Sequence, residues 1–374
     1  MSGQVGKQVA PVRCKGWSVA KPALQWSTDV VKLSDVTVPA PSPTGIRVKV
    51  HAASINPIDC KRVTFPASGS GGPGVAGKGF TGFKGMHHKP PSYPYPYVVG
   101  VDGAGEVESV GQRVTEFKVG DRVMFHSSLT NAYGGSLCEY AVMEESVAVP
   151  IPASGAKSLS YEEAAAIPCA TWAAYIALFD KLRIEQGRSI FIDGASGAVG
   201  SFAVQLAHYM GLYIFASCSP HNADYVRSLG ADEVLNYHDG PEMIDKILGA
   251  TGGYGVDYYL AVTNTQDAED FTDVLRFGGA VCLLSGVLVP KSDMLFCRQL
   301  SVHYVFLNGL HDHPLTRPQL RYIGDQVLKL YQDGIFRLDL EILPFADATK
   351  ALDRLATGKG GHKKLIVQVT SPSQ

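Results

Sequence analysis

The run Phe191-Ile192-Asp193-Gly194-Ala195-Ser196-Gly197-Ala198-Val199-Gly200 constrains the fold of this chain more than any other. A short apolar segment ends in closely spaced glycines and passes into residues 201–210, which carry Ala, Val and Leu at helical spacing. A buried strand that turns through glycine into a helix presents free backbone N–H groups and the positive end of a helix dipole, which together favour phosphate. Glycine is required there because the backbone bends tightly and lets the anion approach. Gly194, Gly197 and Gly200 fall three apart, in place of the commoner Gly-x-Gly-x-x-Gly. Set inside a repeating β-α array, the turn predicts a dinucleotide pyrophosphate site.

Such an array surrounds it. Residues 162–182 form an Ala-rich helical stretch, 189–192 a buried strand, and 213–217 the next strand. Residues 222–229 read as helix, and 233–235, 256–261 and 279–285 as strands. The alternation predicts a doubly wound parallel sheet. Residues 300–306 look like one more apolar strand, whose free edge could pair two copies of the chain into a homodimer. Helices at 318–332 and 346–356 and a strand at 364–369 complete the chain. Up to about residue 165 the pattern is instead short β segments broken by turns, at 46–50, 105–110 and 121–125. At 374 residues the chain suits two domains.

Between Phe65 and Tyr97 lies a Gly/Pro/Ser-dense stretch, including Gly69-Ser70-Gly71-Gly72-Pro73-Gly74 and Pro90-Pro91-Ser92-Tyr93-Pro94-Tyr95-Pro96. Its composition reads as a mobile surface insertion. The adjacent His87 and His88 read as solvated within it rather than as metal ligands.

Charge excludes some partners. Lys plus Arg number 33 against 35 Asp plus Glu, so no strong field would hold nucleic acid as the main partner. No apolar run is long enough to span a membrane, and the N-terminus lacks a secretory apolar core. The seven cysteines are odd in number and never in a Cys-x-x-Cys pair, which predicts reduced thiols in a reducing compartment such as the cytoplasm. The acid-free start, with Asp29 as its first acid, leaves an organelle-targeting segment as the alternative.

The residue closing the second strand selects the dinucleotide, because an acid there bonds the ribose 2′-hydroxyl and repels a 2′-phosphate. This strand ends Ser217-Cys218-Ser219-Pro220-His221-Asn222, with no acid before Asp224. Hydroxyls, an amide and a histidine suit a phosphate, so the expected cofactor is NADPH.

The order of motifs resembles the medium-chain dehydrogenase/reductase superfamily, in its zinc-independent quinone oxidoreductase and enoyl reductase (zeta-crystallin-like) branch. The resemblance rests on Ser54-Ile55-Asn56-Pro57-Ile58-Asp59, Val99-Gly100-Val101-Asp102-Gly103-Ala104-Gly105, Gly120-Asp121-Arg122-Val123, Gly134-Gly135-Ser136-Leu137-Cys138-Glu139-Tyr140, the glycine turn, and Leu229-Gly230-Ala231-Asp232. It implies an α/β architecture: a GroES-like β-rich catalytic domain over residues 1–165 and 311–374, and a Rossmann domain over 166–310. Where alcohol dehydrogenases of the superfamily hold zinc with Cys, His and Cys, this chain has Asn56, Val101 and Cys169, and the four cysteines of the structural zinc lobe are absent. The resemblance therefore implies no metal.

Without a Lewis acid, oxidation of simple alcohols is disfavoured, and reduction of an electrophilic carbon remains. The expected substrate is a quinone or an α,β-unsaturated carbonyl. Carried over from the family, Asn56, Pro57 and Asp59 would lie by the nicotinamide, with Thr171 reaching the cofactor. Gly194, Ser196, Gly197, Ala198, Val199 and Gly200 would cradle pyrophosphate. Ser217, Ser219, His221 and Asn222 would face the 2′-phosphate, and Tyr237 the adenosine. Val262, Thr263, Gly286 and Val287 would follow strand ends near the nicotinamide. Asn56, Lys61 and Tyr140 are the expected catalytic residues; for the proton donor Lys61, Cys60 and Tyr140 all stand near the relevant motifs, with no firm acid assigned and Lys61 the best candidate. Two alternatives stand beside the reductase: an enoyl-thioester reductase of fatty-acid or polyketide type, suggested by the Ser219-Pro220-His221-Asn222 run, and a non-catalytic NADPH-binding crystallin or sensor protein.

Overall fold

The computed structural model describes residues 9–65, 93–152, 158–263, 271–285 and 292–370. Gly286, Val287, His87 and His88 lie outside them, as does most of the Gly/Pro-dense stretch.

The first half is β-rich. Strands β1 (Val12–Val19) and β2 (Val31–Val38) form an antiparallel ribbon, followed by β3 (Gly45–Ser54) and the short helix α1 (Pro57–Lys61). Then come β4 (Tyr97–Val98), β5 (Asp102–Val110), β6 (Arg122–His126), β7 (Tyr140–Glu144) and β8 (Ala148–Pro150). Helices α2 (Tyr161–Ala166) and α3 (Pro168–Tyr175) lead out of it.

The second half alternates: β9 (Ser189–Ile192), α4 (Ala198–Tyr209), β10 (Tyr213–Cys218), α5 (Ala223–Ser228), β11 (Glu233–Asn236), α6 (Glu242–Ala250), β12 (Val256–Ala261), β13 (Leu275–Leu283), α7 (Ser292–Cys297) and β14 (Ser301–Tyr304). After it come α8 (Arg317–Gln332), β15 (Leu340–Pro344), α9 (Ala348–Ala356) and β16 (Lys364–Gln368).

The six strands of the second half pair in parallel in the order β11-β10-β9-β12-β13-β14. Numbered along the chain this is 3-2-1-4-5-6, the doubly wound dinucleotide order, with its switch point between β9 and β12. Strand β9 is central and its Ile190, Phe191 and Ile192 are fully buried, as a strand covered on both faces requires. The chain then returns: β16 pairs antiparallel with β3 and parallel with β15, so the last strands complete the sheet of the first half. A second small sheet joins β2, β1 and β4. One apolar cluster runs from the first half through α2, α3 and α4 to α8, and a second fills the other face of the parallel sheet around Phe191, Tyr259 and Leu275. Among the described residues no helix is long and apolar enough to cross a membrane.

Besides strands β1, β2 and β15, which were not expected, three regions depart from the sequence expectation. The helical stretch at 162–182 is broken, because Pro168 lacks an N–H and starts a new helix at α3, which then widens into a π-helix over Ile176–Leu182. No element was expected between 235 and 256, yet α6 lies there; Met243 and Ile247, four apart, are its buried residues, a narrow stripe. The end of the Gly/Pro-dense stretch is not surface: Tyr93 and Tyr97 are each 2% exposed, and the Tyr95 hydroxyl donates to the carbonyls of Arg62 and Phe65.

Candidate functional site

The glycine turn joins β9 to α4 at the switch point. Gly194 takes φ +58°, and a Cβ there would lie 2.5 Å from Thr263 Cγ2. A Cβ on Gly200 would lie 2.3 Å from the Gly194 carbonyl oxygen, so glycine at 200 lets the helix pack onto the turn. Gly197 differs. A Cβ there meets only the Gly194 oxygen, at 3.3 Å, and the residue stands at the N-cap of α4 with no side-chain cap. The first N–H groups of α4 lack intrahelical acceptors, as at any helix start, and Ala198 and Val199 stay half-buried beside this open space. Ser196, also half-buried, completes the turn.

Asp193 pins this turn across the switch point. Its buried carboxylate accepts from the N–H of Val262, from the N–H of Thr263 at 3.1 Å, from the Thr263 hydroxyl at 2.9 Å and from the Tyr259 hydroxyl at 3.1 Å. The ends of β9 and β12 are thereby held together, with Val262 and Thr263 fixed beside Gly194.

The end of β10 is wired to the same turn. Asn222 Nδ2 donates to Ser196 Oγ at 3.2 Å and to Ser219 Oγ at 3.1 Å, and Ser219 Oγ contacts His221 Nε2 at 3.3 Å. Ser217 is buried, and its carbonyl accepts the Ala195 N–H at 2.9 Å. His221 is exposed at the rim. Tyr237, after β11, is half-exposed with its ring against His238.

A second constellation lies where β3, β5, β6 and β16 meet. Asn56 is 2% exposed and its amide is fully engaged: Nδ2 donates to Asp102 Oδ2 at 2.8 Å and to the Ser54 carbonyl at 3.3 Å, while Oδ1 accepts from Lys364 Nζ. Asp59 accepts from the Asn56 N–H at 2.8 Å and the Val101 N–H at 3.0 Å. Asp102 accepts the Cys169 N–H at 3.1 Å, so this carboxylate satisfies the start of α3, where charge and dipole suit it. Burial pushes the carboxyls of both Asp59 and Asp102 up to about 7, with Lys364 opposing that shift. Val101 instead faces an apolar wall with Phe65, Tyr93 and Leu129.

The segment following β14 closes against this region. His126 Nδ1 and His311 Nε2 lie 3.0 Å apart, and Asn308 Oδ1 accepts the Leu129 N–H at 2.7 Å. Asn308 Nδ2 and the Thr171 hydroxyl are buried without a hydrogen-bond partner. Unpaired buried donors are costly, so each would be satisfied by an acceptor that reached it.

The remaining expected residues separate. Pro57 and Lys61, at the two ends of α1, are exposed. Cys60 is buried, and burial pushes its thiol above the ordinary range. Tyr140 packs in a different cluster, with Cys14, Val36 and Val142, and not with Asn56. Sequence reasoning missed Asp193, Asp102, His126, Asn308, His311 and Lys364. Asp193 and Asp102 sat inside quoted motifs and carried a signal, whereas the others are brought in only by tertiary packing.

The comparisons agree with this geometry. Residues 42–153 match the alcohol dehydrogenase GroES-like domain, and residues 198–314 match the family described as zinc-binding dehydrogenase. The chain is 33% identical over 258 residues to the quinone oxidoreductase of Rattus norvegicus, covering 68% of this chain and 69% of that one. It is 36% identical over 225 residues to the chloroplastic quinone-oxidoreductase homolog of Spinacia oleracea, covering 58% of this chain and only 60% of that one. A quinone oxidoreductase structure from Pseudomonas syringae superposes with a TM-score of 0.77 at 23% identity, covering 95% of this chain and 99% of that chain. A GroES-like β half and a dinucleotide-binding half in one chain define the class. The chain belongs to the medium-chain dehydrogenase/reductase superfamily, in its quinone oxidoreductase, zeta-crystallin-like branch.

Where alcohol dehydrogenases of the superfamily hold zinc with Cys, His and Cys, two of the three positions here carry neither Cys nor His. At the first ligand position stands the fully bonded Asn56 amide, and at the second the apolar Val101. Among the described residues, ligand-capable atoms of Asp102, His126 and Cys169 do lie within 4.8 Å of one another. Zinc accepts such donors. However, the Asp102 oxygens are already bonded to Asn56 and the Cys169 N–H, and Lys364 supplies the positive charge facing the carboxylates.

Proposed function

We propose that the protein is an NADPH-dependent, metal-free reductase of quinones or α,β-unsaturated carbonyls. The observation that carries this reading is the hydrogen-bonded run Ser196–Asn222–Ser219–His221, which joins the open Gly197 turn to an acid-free rim. Gly197, Ala198 and Val199 would take the pyrophosphate, and the rim, with Ser217 behind it and Tyr237 beyond, the 2′-phosphate and adenosine. NADPH supplies the hydride when bound.

The protein's own part is to place the acceptor and handle charge. Val101, Phe65, Tyr93 and Leu129 give the apolar wall a planar enone or quinone needs. The unpaired Asn308 amide and Thr171 hydroxyl would donate to oxygen as charge develops on it. Asn56 and Asp59 would act by holding the wall and α1 in place, since their polar atoms are spent. Lys61, exposed at the end of α1, is the better proton source of the sequence candidates, because Tyr140 packs elsewhere. The exposed edge strand β14 would pair two copies into a dimer, which light scattering can test.

The test is a rate comparison on quinones, enones and enoyl thioesters with NADPH and NADH, alongside metal analysis. Turnover restricted to thioesters would make it an enoyl-thioester reductase. Tight NADPH binding without turnover would make it a sensor. A tenfold preference for NADH, or stoichiometric zinc, would overturn the cofactor or metal-free reading.

A further inference from the structure

Strand β1 and the segment before β7 bring together a cysteine pair that the reductase reading does not use. Cys14 and Cys138 are 124 residues apart in sequence, both free and both buried, with their sulfurs 3.5 Å apart. Backbone pairing explains the approach. Gly16 bridges Cys138 in antiparallel fashion, flanked by the Trp17 N–H to the Leu137 carbonyl at 2.8 Å and the Glu139 N–H to the Lys15 carbonyl at 3.2 Å.

Cys14 and Gly16, two apart on one strand, face the same side. Residues diagonal across a ladder normally stand too far apart for their short side chains to meet. Here Gly16 offers no Cβ: one placed there would lie 2.8 Å from Cys138 Sγ. The Cys138 side chain therefore leans over Gly16 and reaches Cys14. The sulfurs thus stand in contact, and closing them to a bond needs side-chain rotation together with a small approach of the two strands.

We propose that Cys14 and Cys138 form a peroxide-responsive dithiol that closes to a disulfide. The two cysteines are not equivalent. Cys14 keeps 7% of its surface exposed and Cys138 none, so an oxidant meets Cys14 first. The contact with Cys138 holds the Cys14 thiol below its ordinary value, while the same contact and burial push Cys138 far up. Cys14 is thus the attacking sulfur and Cys138 the resolving one.

A hydroperoxide supplies the oxidising power. The Cys14 thiolate attacks the peroxide oxygen, the O–O bond breaks, and an alcohol or water leaves with the Cys14 proton, giving a sulfenic acid. Cys138 sulfur then attacks Cys14 sulfur, the S–O bond breaks, and water leaves with the Cys138 proton. Two thiols and one hydroperoxide become one disulfide, one alcohol or water, and one water.

The bond would tie β1 to the loop that shapes the substrate wall. The Ser136 N–H donates to the Gly100 carbonyl at 3.0 Å and the Leu137 N–H to that of Val99 at 2.9 Å, immediately before Val101 and Asp102. None of this depends on which substrate the reductase takes.

The experiment treats the full chain with hydrogen peroxide, alkylates it after denaturation, and maps disulfides in non-reducing digests by mass spectrometry. The expected product is a Cys14–Cys138 linked peptide, lighter by the two thiol hydrogens and released by dithiothreitol. Cys138→Ala is expected to leave Cys14 trappable as a sulfenic acid by dimedone, and Cys14→Ala to leave Cys138 reduced. Exposed Cys297 reports that oxidant was active. If Cys297 is oxidised while Cys14 and Cys138 both remain alkylatable, or if either pairs with another cysteine instead, the proposal is wrong. The wild-type map decides the matter even if a variant fails to fold.

Discussion

Lys364 Nζ donates to Asn56 Oδ1, so the first residue of the last strand fixes the side chain of the N-cap residue of α1, 308 residues earlier. The ammonium is buried with two carboxylates, Asp59 and Asp102, whose charged forms it supports. Removing one partner of a buried ionic group leaves the others uncompensated, at a cost of about 3–5 kcal/mol. Lys364→Met is therefore expected to lower the unfolding free energy, measured by urea titration at neutral pH, by that much. A loss under about 1 kcal/mol would show that the carboxyls are already protonated and need no partner.

The buried titrating groups give stability an unusual pH profile. Burial pushes Asp59 and Asp102 up to about 7, and pushes His126 down to about 4, with His311 also well below its ordinary value. A carboxyl raised on folding keeps a proton that the unfolded chain has lost, so between about 4 and 7 its contribution falls as pH rises. A lowered histidine does the reverse: between about 4 and 6.5 the unfolded chain binds more protons, and stability rises with pH. The two slopes oppose each other across most of that window. His126→Gln should unmask a fall in melting temperature with rising pH, and Asp102→Asn a rise. Melting curves across the window check this, and slopes that change in the same direction in both variants would contradict it.

How much of this was readable beforehand depended on distance along the chain. The β9 turn, the acid-free end of β10 and the parallel array are local patterns, and strands β9 and β12 fall where their apolar runs place them. The ribbon β1–β2 and strand β15 were not anticipated; β1 and β2 are held by their own antiparallel ladder with β4 at one end, and β15 by its pairing with β16. Asn56 was legible as a motif residue, but not that Lys364 and Asp102 would use up its amide. The helix α6 was obscured because only a narrow stripe is buried. Long-range contacts carry no sequence signal when a single chain is read alone.

Two of the three glycines of the turn should separate by experiment. Gly200→Ala brings Cβ to 2.3 Å from the Gly194 oxygen, a backbone atom that cannot step aside, so the expected effect is destabilisation of about 1–3 kcal/mol. Gly197→Ala meets only one contact, at 3.3 Å, and should fold with nearly unchanged melting temperature while losing about tenfold or more in dinucleotide affinity, as the methyl enters the phosphate space. Thermal melting and fluorescence titration with NADPH distinguish the two. Equal loss of stability in both would mean that Gly197 serves packing alone.

Cofactor choice should turn on Asn222. Its amide bridges Ser196 of the turn and Ser219 of the rim, and the residue is only 8% exposed, so a carboxylate placed there would keep its position. Asn222→Asp introduces an acid just past the end of β10, where it would repel a 2′-phosphate and offer an acceptor to a 2′-hydroxyl. A like-charge contact of this kind costs about 1–3 kcal/mol, so the NADPH to NADH ratio of kcat/KM is expected to fall about tenfold to a hundredfold. The change should come from weaker NADPH binding, visible in KM, with kcat nearly constant, because the substitution lies far from the transferred hydride. If the ratio is unmoved in a variant that melts like the parent, the 2′-phosphate does not sit on this rim, and the assignment of Ser219, His221 and Asn222 fails with it.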